Sequence, residues 1–247
     1  MNVITISNLK GGVGKTTSVV NLAYSFFSMG KKVLVIDLDP QCNTTGFFAK
    51  VNKSGYTIKE VFEEKIGIKR AIYRTKYRGI DVVRGNVMLS EKGDVFHLSA
   101  ALQEVAERYD ICMIDTRPSF ERLTVSALYA ADLVLTPVKM DNFSRDNLAL
   151  VEDYIEEVRE SNTGMGWRAF ATMVSKTRAQ RKVMADLAEK HDYPFCENCI
   201  TRTADIDNAL VYYKPVALHK RRSAATADYM DLAEEIWTTL ECRKVVS

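Results

Sequence analysis

The chain has 247 residues, with 34 Lys and Arg against 32 Asp and Glu, a formal net charge of +2, and 47% apolar and 27% charged residues. That balance is ordinary for a globular protein and neither demands nor excludes a nucleic-acid partner, so such an argument must rest on local clusters. No run approaches the ~18 apolar residues of a membrane helix, and an odd count of five cysteines, with no secretory signal over residues 1–7, fits a reducing cytoplasm.

In chain order, apolar runs at 3–7, 32–36, 80–83, 111–114, 133–137, 168–174 and 195–200 read as strands. Several are continuous rather than alternating, as expected for strands covered on both faces. Helical patterns lie between them at 16–29, 99–108, 122–131, 145–160, 178–190 and 224–240, the first closed by Gly30. Neither a repeat nor a Pro/Gly-rich linker divides the sequence, so a single domain over 1–247 is expected. Strand–helix alternation predicts an α/β fold: a three-layer, doubly wound, mostly parallel sheet with helices on both faces. In such sheets ligands sit at the carboxyl ends of the strands. The loops after residues 7, 36, 114, 137, 174 and 200 then share one rim.

The first of these loops reads Asn8-Leu9-Lys10-Gly11-Gly12-Val13-Gly14-Lys15-Thr16-Thr17. Glycines let the backbone curl so that successive N–H groups point at an anion. The following helix adds its positive end. Lys15 supplies a point charge for β- and γ-phosphates, and the Thr16 hydroxyl can ligate magnesium. Leu9 stands where the strict phosphate-loop pattern has its first glycine, and an extra lysine, Lys10, opens the loop. The second strand ends in Asp37-Leu38-Asp39-Pro40-Gln41-Cys42, whose two aspartates can face the same side. Tyr109-Asp110-Ile111-Cys112-Met113-Ile114-Asp115 is an apolar strand ending in a carboxylate.

Lys-Gly-Gly-Val-Gly-Lys-Thr-Thr resembles the signature of the deviant-Walker ATPases, the ParA/Soj and MinD group, and the resemblance extends over nearly the whole chain. It implies ATP and Mg²⁺ as ligands, bound by residues 10–17, Val13 included. It implies that Lys10 reaches across an ATP-dependent homodimer to the partner's phosphates, in the manner of an arginine finger. Asp39 would position the attacking water, Asp37 would lie near the magnesium shell, and Asp115 would hold magnesium through water. Thr201 and Arg202 sit where the family has Pro-Arg, a stretch whose backbone lines the adenine. Cys42 replaces a family glycine, Arg117 a proline in what would be a switch loop, and Asn142 an aromatic. Asp205 stands where relatives called Soj carry an arginine used on DNA. Tyr229-Met-Asp-Leu-Ala-Glu-Glu-Ile is similar to the family's last helix.

Within the group, three functions differ in what they require. A partition ATPase would bind DNA non-specifically in its ATP state and answer to a centromere-binding, ParB-like adaptor, in a cytoplasmic, nucleoid-associated location. Two basic clusters suit it: Lys176, Arg178, Arg181 and Lys182, and Lys214, Lys220, Arg221 and Arg222 around His219. With the phosphate loop so near residue 1, no N-terminal helix-turn-helix domain is expected. A MinD-like ATPase needs a basic amphipathic end, whereas residues 224–247 carry Asp228, Asp231, Glu234 and Glu235 on their polar side; no membrane contact is expected. An iron–sulfur carrier needs paired cysteines at a dimer axis, and Cys196 and Cys199 lie in the wrong segment, with no second pair to complete four ligands.

Overall fold

The computed structural model describes residues 1–49, 54–91, 93–141, 143–175, 177–191 and 193–246. The strands are β1 (Asn2–Ile6), β2 (Val33–Asp37), β3 (Ile72–Arg74), β4 (Ile80–Val83), β5 (Ile111–Asp115), β6 (Leu133–Lys139) and β7 (Gly166–Thr172). They form a sheet of order β3-β4-β2-β5-β1-β6-β7. Every neighbouring pair is parallel except β3–β4. The helices are α1 (Lys15–Ser28), α2 (Asn43–Phe48), α3 (Ile58–Phe62), α4 (His97–Gln103), α5 (Arg122–Tyr129), α6 (Ser144–Arg159), α7 (Arg178–His191), α8 (Ala204–Val211), α9 (Val216–His219) and α10 (Ala224–Val246).

The period of two along each strand sorts side chains into layers. Ile4, Ile6, Val33, Val35, Ile111, Met113, Leu133 and Leu135 enter one core with Phe26 of α1 and Leu232 and Ile236 of α10. Their sequence neighbours Val3, Leu34, Ile36, Cys112 and Ile114 enter the opposite core with Leu98 of α4 and Ala127 of α5. Val134 and Val138 continue that face against Leu148, Val151 and Ile155 of α6. Because both faces are buried, the strands read as unbroken apolar runs, which is why they are visible without alternation.

Two differences from the sequence reading have clear causes. Residues 195–200 are not a strand. Cys196 N–H donates to Ala169 C=O and Ile200 N–H to Ala171 C=O, but between them the amides of Glu197 and Asn198 turn away to the Glu235 carboxylate at 2.8 and 3.0 Å. An α10 side chain thus breaks the ladder, leaving only the bridge of Phe195 to Ala169 and that of Thr201 to Val174. The edge strand β3 and the short helices α2, α3, α8 and α9 were not foreseen. They span eight residues or fewer, too short for a periodic signal to stand out. The helix expected over 99–108 is α4 followed by a separate 3₁₀ turn at Ala106–Arg108.

Candidate functional site

The chain leaves β1, the centre of the sheet, and enters α1 through residues 7–14. Gly12 and Gly14 adopt left-handed conformations, with φ of 71° and 95°, which a residue with Cβ rarely takes. Nothing lies within 4 Å of where a Cβ would sit on Gly11 or Gly12, so this backbone borders open space. Gly14 is the N-cap of α1, and the first turn has neither a capping side chain nor an acid. The leading amides of α1 are therefore available to an anion.

Asn8, which sequence reasoning passed over, anchors the loop. Its amide donates to the Pro137 carbonyl at 2.8 Å. Its side-chain oxygen accepts from Lys10 N–H at 2.8 Å and from Asn147 at 2.7 Å. The Lys15 ammonium is buried under the loop and donates to the carbonyls of Asn8 and Lys10, at 3.0 and 3.1 Å. Burial lowers its pKa, while Asp115 and Asp39 pull it back up.

Asp37 and Asp115 end adjacent strands in direct register, and both are fully buried. One oxygen of Asp115 accepts from the hydroxyls of Thr16 at 2.7 Å and Thr44 at 2.6 Å. Its other oxygen is buried without a hydrogen-bond partner. Asp37 is enclosed: Thr45 donates its amide and hydroxyl to one oxygen, each at 2.7 Å, and the Asp39 amide reaches the other at 3.1 Å. Thr45 in turn accepts from Gly85 N–H at 2.8 Å. A Cβ on Gly85 would lie 3.0 Å from the Asp37 carboxyl carbon, so any larger residue there presses on that carboxylate. Burial raises Asp37 to about 7, with Asp115 adding to it, and burial raises Asp115 to about 6 against the opposing hydroxyls.

Magnesium would fit this donor set: the Thr16 hydroxyl and the unpartnered Asp115 oxygen are the groups that would hold it, and it would supply positive charge beside a bound phosphate. No cluster of three or more His, Cys, Asp or Glu suited to holding a metal occurs among the described residues, Cys196 and Cys199 included.

Asp39 lines a cleft of about 330 Å³ together with Gly11, Gly12, Gly14, Lys15, Thr16 and Thr17, with Pro118 across from them. Cys42, where the resemblance led one to expect glycine, holds a left-handed φ of 53° at the start of α2. A second cavity of about 180 Å³ shares Gly14, Thr17 and Met173 with the first and extends to Thr201, Arg202 and Asp207. Thr201 is fixed there by its N–H bond to Asp228 at 2.8 Å and Arg202 by its N–H bond to the Val174 carbonyl. Together the cavities give an end lined by glycine backbone and Lys15 and a mainly apolar end, joined at the foot of α1.

Lys10 points the other way. Its ammonium pairs with Asp141 at 2.6 Å and lies 5.6 Å from the centre of the Phe143 ring, which is 72% exposed. Burial pushes the Asp141 carboxyl up, but the Lys10 contacts outweigh this and hold it below its ordinary value.

Arg117 finds its role here. Its guanidinium meets Glu91 at 2.6 Å and Glu121 at 3.0 Å, and the second Glu91 oxygen accepts from Leu123 N–H at 2.9 Å. One carboxylate from the loop after β4 thus ties the loop after β5, which carries Pro118, to the start of α5.

Of the basic residues, Arg178, Arg181 and Lys182 are exposed on α7, and Lys214, Arg221 and Arg222 are exposed around α9. Lys220 is paired with Asp205 at 2.9 Å, an acid the linear reading did not bring to that cluster. Lys176 and Asn142 lie outside the described residues. None of the described helices is long and apolar enough to cross a membrane.

The chain matches the AAA domain family over residues 1–165. It is 30% identical over 250 residues to the chromosome partitioning protein ParA of Caulobacter vibrioides, covering 96% of this chain and 94% of that one. It superposes on a putative plasmid partition protein of Borrelia burgdorferi B31 bound to AMPPNP with a TM-score of 0.82 and 25% identity, over 96% and 99% of the two chains. It superposes equally, TM-score 0.82 and 26% identity, on the cobyrinic acid a,c-diamide synthase of Mycobacterium smegmatis with bound ADP and magnesium, over 94% and 92%.

Two outcomes follow from this geometry. In nucleotide- and metal-free protein, the raised Asp37 carboxyl holds a proton that the unfolded chain, with a pKa of about 3.9, has already released. Its contribution to stability is full below about pH 4 and is lost as pH rises through about 7. Asp37→Asn keeps an acceptor for Thr45 and should reduce the fall of Tm with pH between 4 and 7, leaving the part due to Asp115, with a gain at pH 8 of about 2–8 °C, as roughly 1–2 kcal/mol produces in a chain this size. A lower Tm at pH 8 would contradict it. Separately, Glu91→Ala should cost at most about 1 kcal/mol in urea denaturation, since the pair is partly exposed. It should nonetheless speed hydrogen exchange at the Leu123 amide; unchanged exchange there would show that the tie holds nothing.

Proposed function

Starting from the chain's membership of the AAA domain family, as a P-loop ATPase of the ParA/MinD group, we propose that it is a partition ATPase: a nucleotide-driven switch that dimerises on ATP, binds DNA non-specifically in that state and hydrolyses ATP slowly. The observation that carries this reading is the open glycine loop over an uncapped α1, with Thr16 held against Asp115 at 2.7 Å.

In this reading the loop amides and Lys15 bind the β- and γ-phosphates, and Thr201 and Arg202 border the base. Magnesium bound by the Thr16 hydroxyl, and through water by Asp115, would neutralise phosphate charge. Asp37 sets the position of the Asp39 amide and of α2, and Asp39, facing the cleft, orients the attacking water. Lys10 is supplied in trans. It exchanges Asp141 for the phosphates of a second copy, so that assembly and nucleotide occupancy are linked. Arg178, Arg181, Lys182, Lys214, Arg221 and Arg222 offer cations to DNA phosphates, and Lys220 a weaker one because Asp205 already holds it. The expected setting is the nucleoid of a cytoplasm, with a ParB-like, centromere-binding partner stimulating turnover.

The test is retention on duplex DNA and on anionic vesicles with ATP, ADP or neither. DNA retention that needs ATP and falls steeply with salt is expected; equal retention with ADP, or retention on vesicles instead, would overturn the reading. Lys10→Ala should bind nucleotide within a few-fold of the unmodified protein yet remain monomeric in sedimentation with ATP and show no turnover. Asp39→Ala should accumulate as an ATP-bound dimer with turnover reduced at least tenfold, and fast phosphate release by this variant would remove the role given to Asp39.

A further inference from the structure

The amino ends of the strands, opposite the phosphate loop, frame a second charged cleft. It has a volume of about 620 Å³ and takes Lys32, Arg74, Arg78 and Arg108 from three separate segments. Lys32 leads into β2, Arg74 ends β3, Arg78 sits in the turn before β4, and Arg108 closes the 3₁₀ turn before β5. The turn is rigid. The Thr75 hydroxyl donates to the Ile80 carbonyl at 2.7 Å and accepts from Tyr77 N–H at 3.0 Å. Gly79 holds a φ of 126° with the Phe27 ring packed where a Cβ would go. Arg74 and Arg78 therefore flank a fixed bend.

Two carboxylates are near, and both are engaged. Asp81 lines the cleft, lies opposite Arg74 in the β3–β4 register and accepts the Tyr109 hydroxyl at 2.8 Å. Asp110 accepts the Lys32 amide at 2.7 Å. Cations outnumber these acids four to two, and none of the four forms an ion pair with a described residue; Arg108 lies only over the Tyr109 ring, at 5.6 Å. All four cations are exposed, and gathered around one concave surface they sum to a positive potential facing outward. A planar guanidinium fork matches two oxygens of a phosphate, and three of the four cations are arginines.

We propose that this cleft is a second anion site, taking adjacent phosphate groups from either a free oligophosphate or a nucleic-acid backbone. It is independent of the ATP-driven switch read above: a five-residue strand of about 16 Å separates the two rims, so one molecule can hold both ligands. Two arginine forks and two further cations account for a pair of phosphates, while Tyr109 is committed to Asp81 and does not act as a donor to the anion.

The experiment uses the full chain carrying Lys15→Ala, which silences the phosphate loop, and titrates it calorimetrically with sodium tripolyphosphate. Binding should persist, fall at least tenfold in Arg74→Glu/Arg78→Glu and fall less in Arg74→Lys/Arg78→Lys. Arg108→Gln, on a different segment, should also weaken it. Arg221→Glu/Arg222→Glu should leave it unchanged. The Arg74 and Arg78 substitutions are then placed in protein with Lys15 intact and tested on duplex DNA in the presence of ATP by fluorescence anisotropy. Loss of both ligands assigns the site to a nucleic-acid backbone, and loss of tripolyphosphate alone assigns it to a free oligophosphate. Absence of binding in Lys15→Ala, indifference to the Arg74 and Arg78 changes in a protein with unaltered Tm, or dependence on Arg221 and Arg222 would each overturn the proposal. Basal ATPase activity without Lys15→Ala should not respond to Arg74→Glu/Arg78→Glu.

Discussion

Two carboxylates buried side by side at the ends of β2 and β5 are the constraint around which the rim is built. Unpaired, Asp37 and Asp115 would repel each other and lose their hydration. The fold answers chiefly with hydroxyls and amides, with the Lys15 ammonium adding to them at Asp115. Thr16 brings in the start of α1, Thr44 and Thr45 bring in α2, and through Thr45 the loop after β4 is drawn to the same point. Four segments distant in sequence are thereby placed within one hydrogen-bonded network. One oxygen of Asp115 is left over, beside a hydroxyl and close to a buried ammonium. Structural necessity and chemical opportunity meet at that atom.

Cationic side chains are distributed on a different logic. Lys15 is packed beneath the loop and bonded to its carbonyls, so it is positioned before any ligand arrives. Lys10, five residues earlier, is tied by Asp141 on the far side. Two lysines of one short loop thus differ in their freedom to move. Arg117 adds a third arrangement, in which an ionic contact through Glu91 links the loop carrying Pro118 to α5.

Much of this was legible in the residue order. The strands bury both faces and so appear as continuous apolar runs, and the glycine loop between β1 and α1 advertises its curl through Gly12 and Gly14. What could not be read were dependencies on partners remote in sequence. Nothing local to Phe195 or Cys199 reveals that Glu235 of α10 intercepts the amides between them. Lys220 sits in a run of basic residues, and its pairing with Asp205 appears only when α8 and α9 fold together. Asn8, Thr44 and Thr45 were in view beside the motifs, but a hydroxyl or amide gives no sign of its acceptor until the chain has turned back on it. Gly85 is legible only in three dimensions, where a Cβ would press on the Asp37 carboxyl.

The interrupted ladder beside β7 has a consequence for assembly. A parallel sheet offers unpaired donors and acceptors along its outermost strands, and another chain can add to them. Here the outer margin of β7 is partly taken by residues 194–202, whose Glu197, Asn198 and Thr201 amides are held by Glu235 and Asp228 of α10, and the opposite margin ends in a three-residue antiparallel strand. Neither border is a template for strand addition. Lateral growth of this sheet into extended β-structure is therefore disfavoured at both margins.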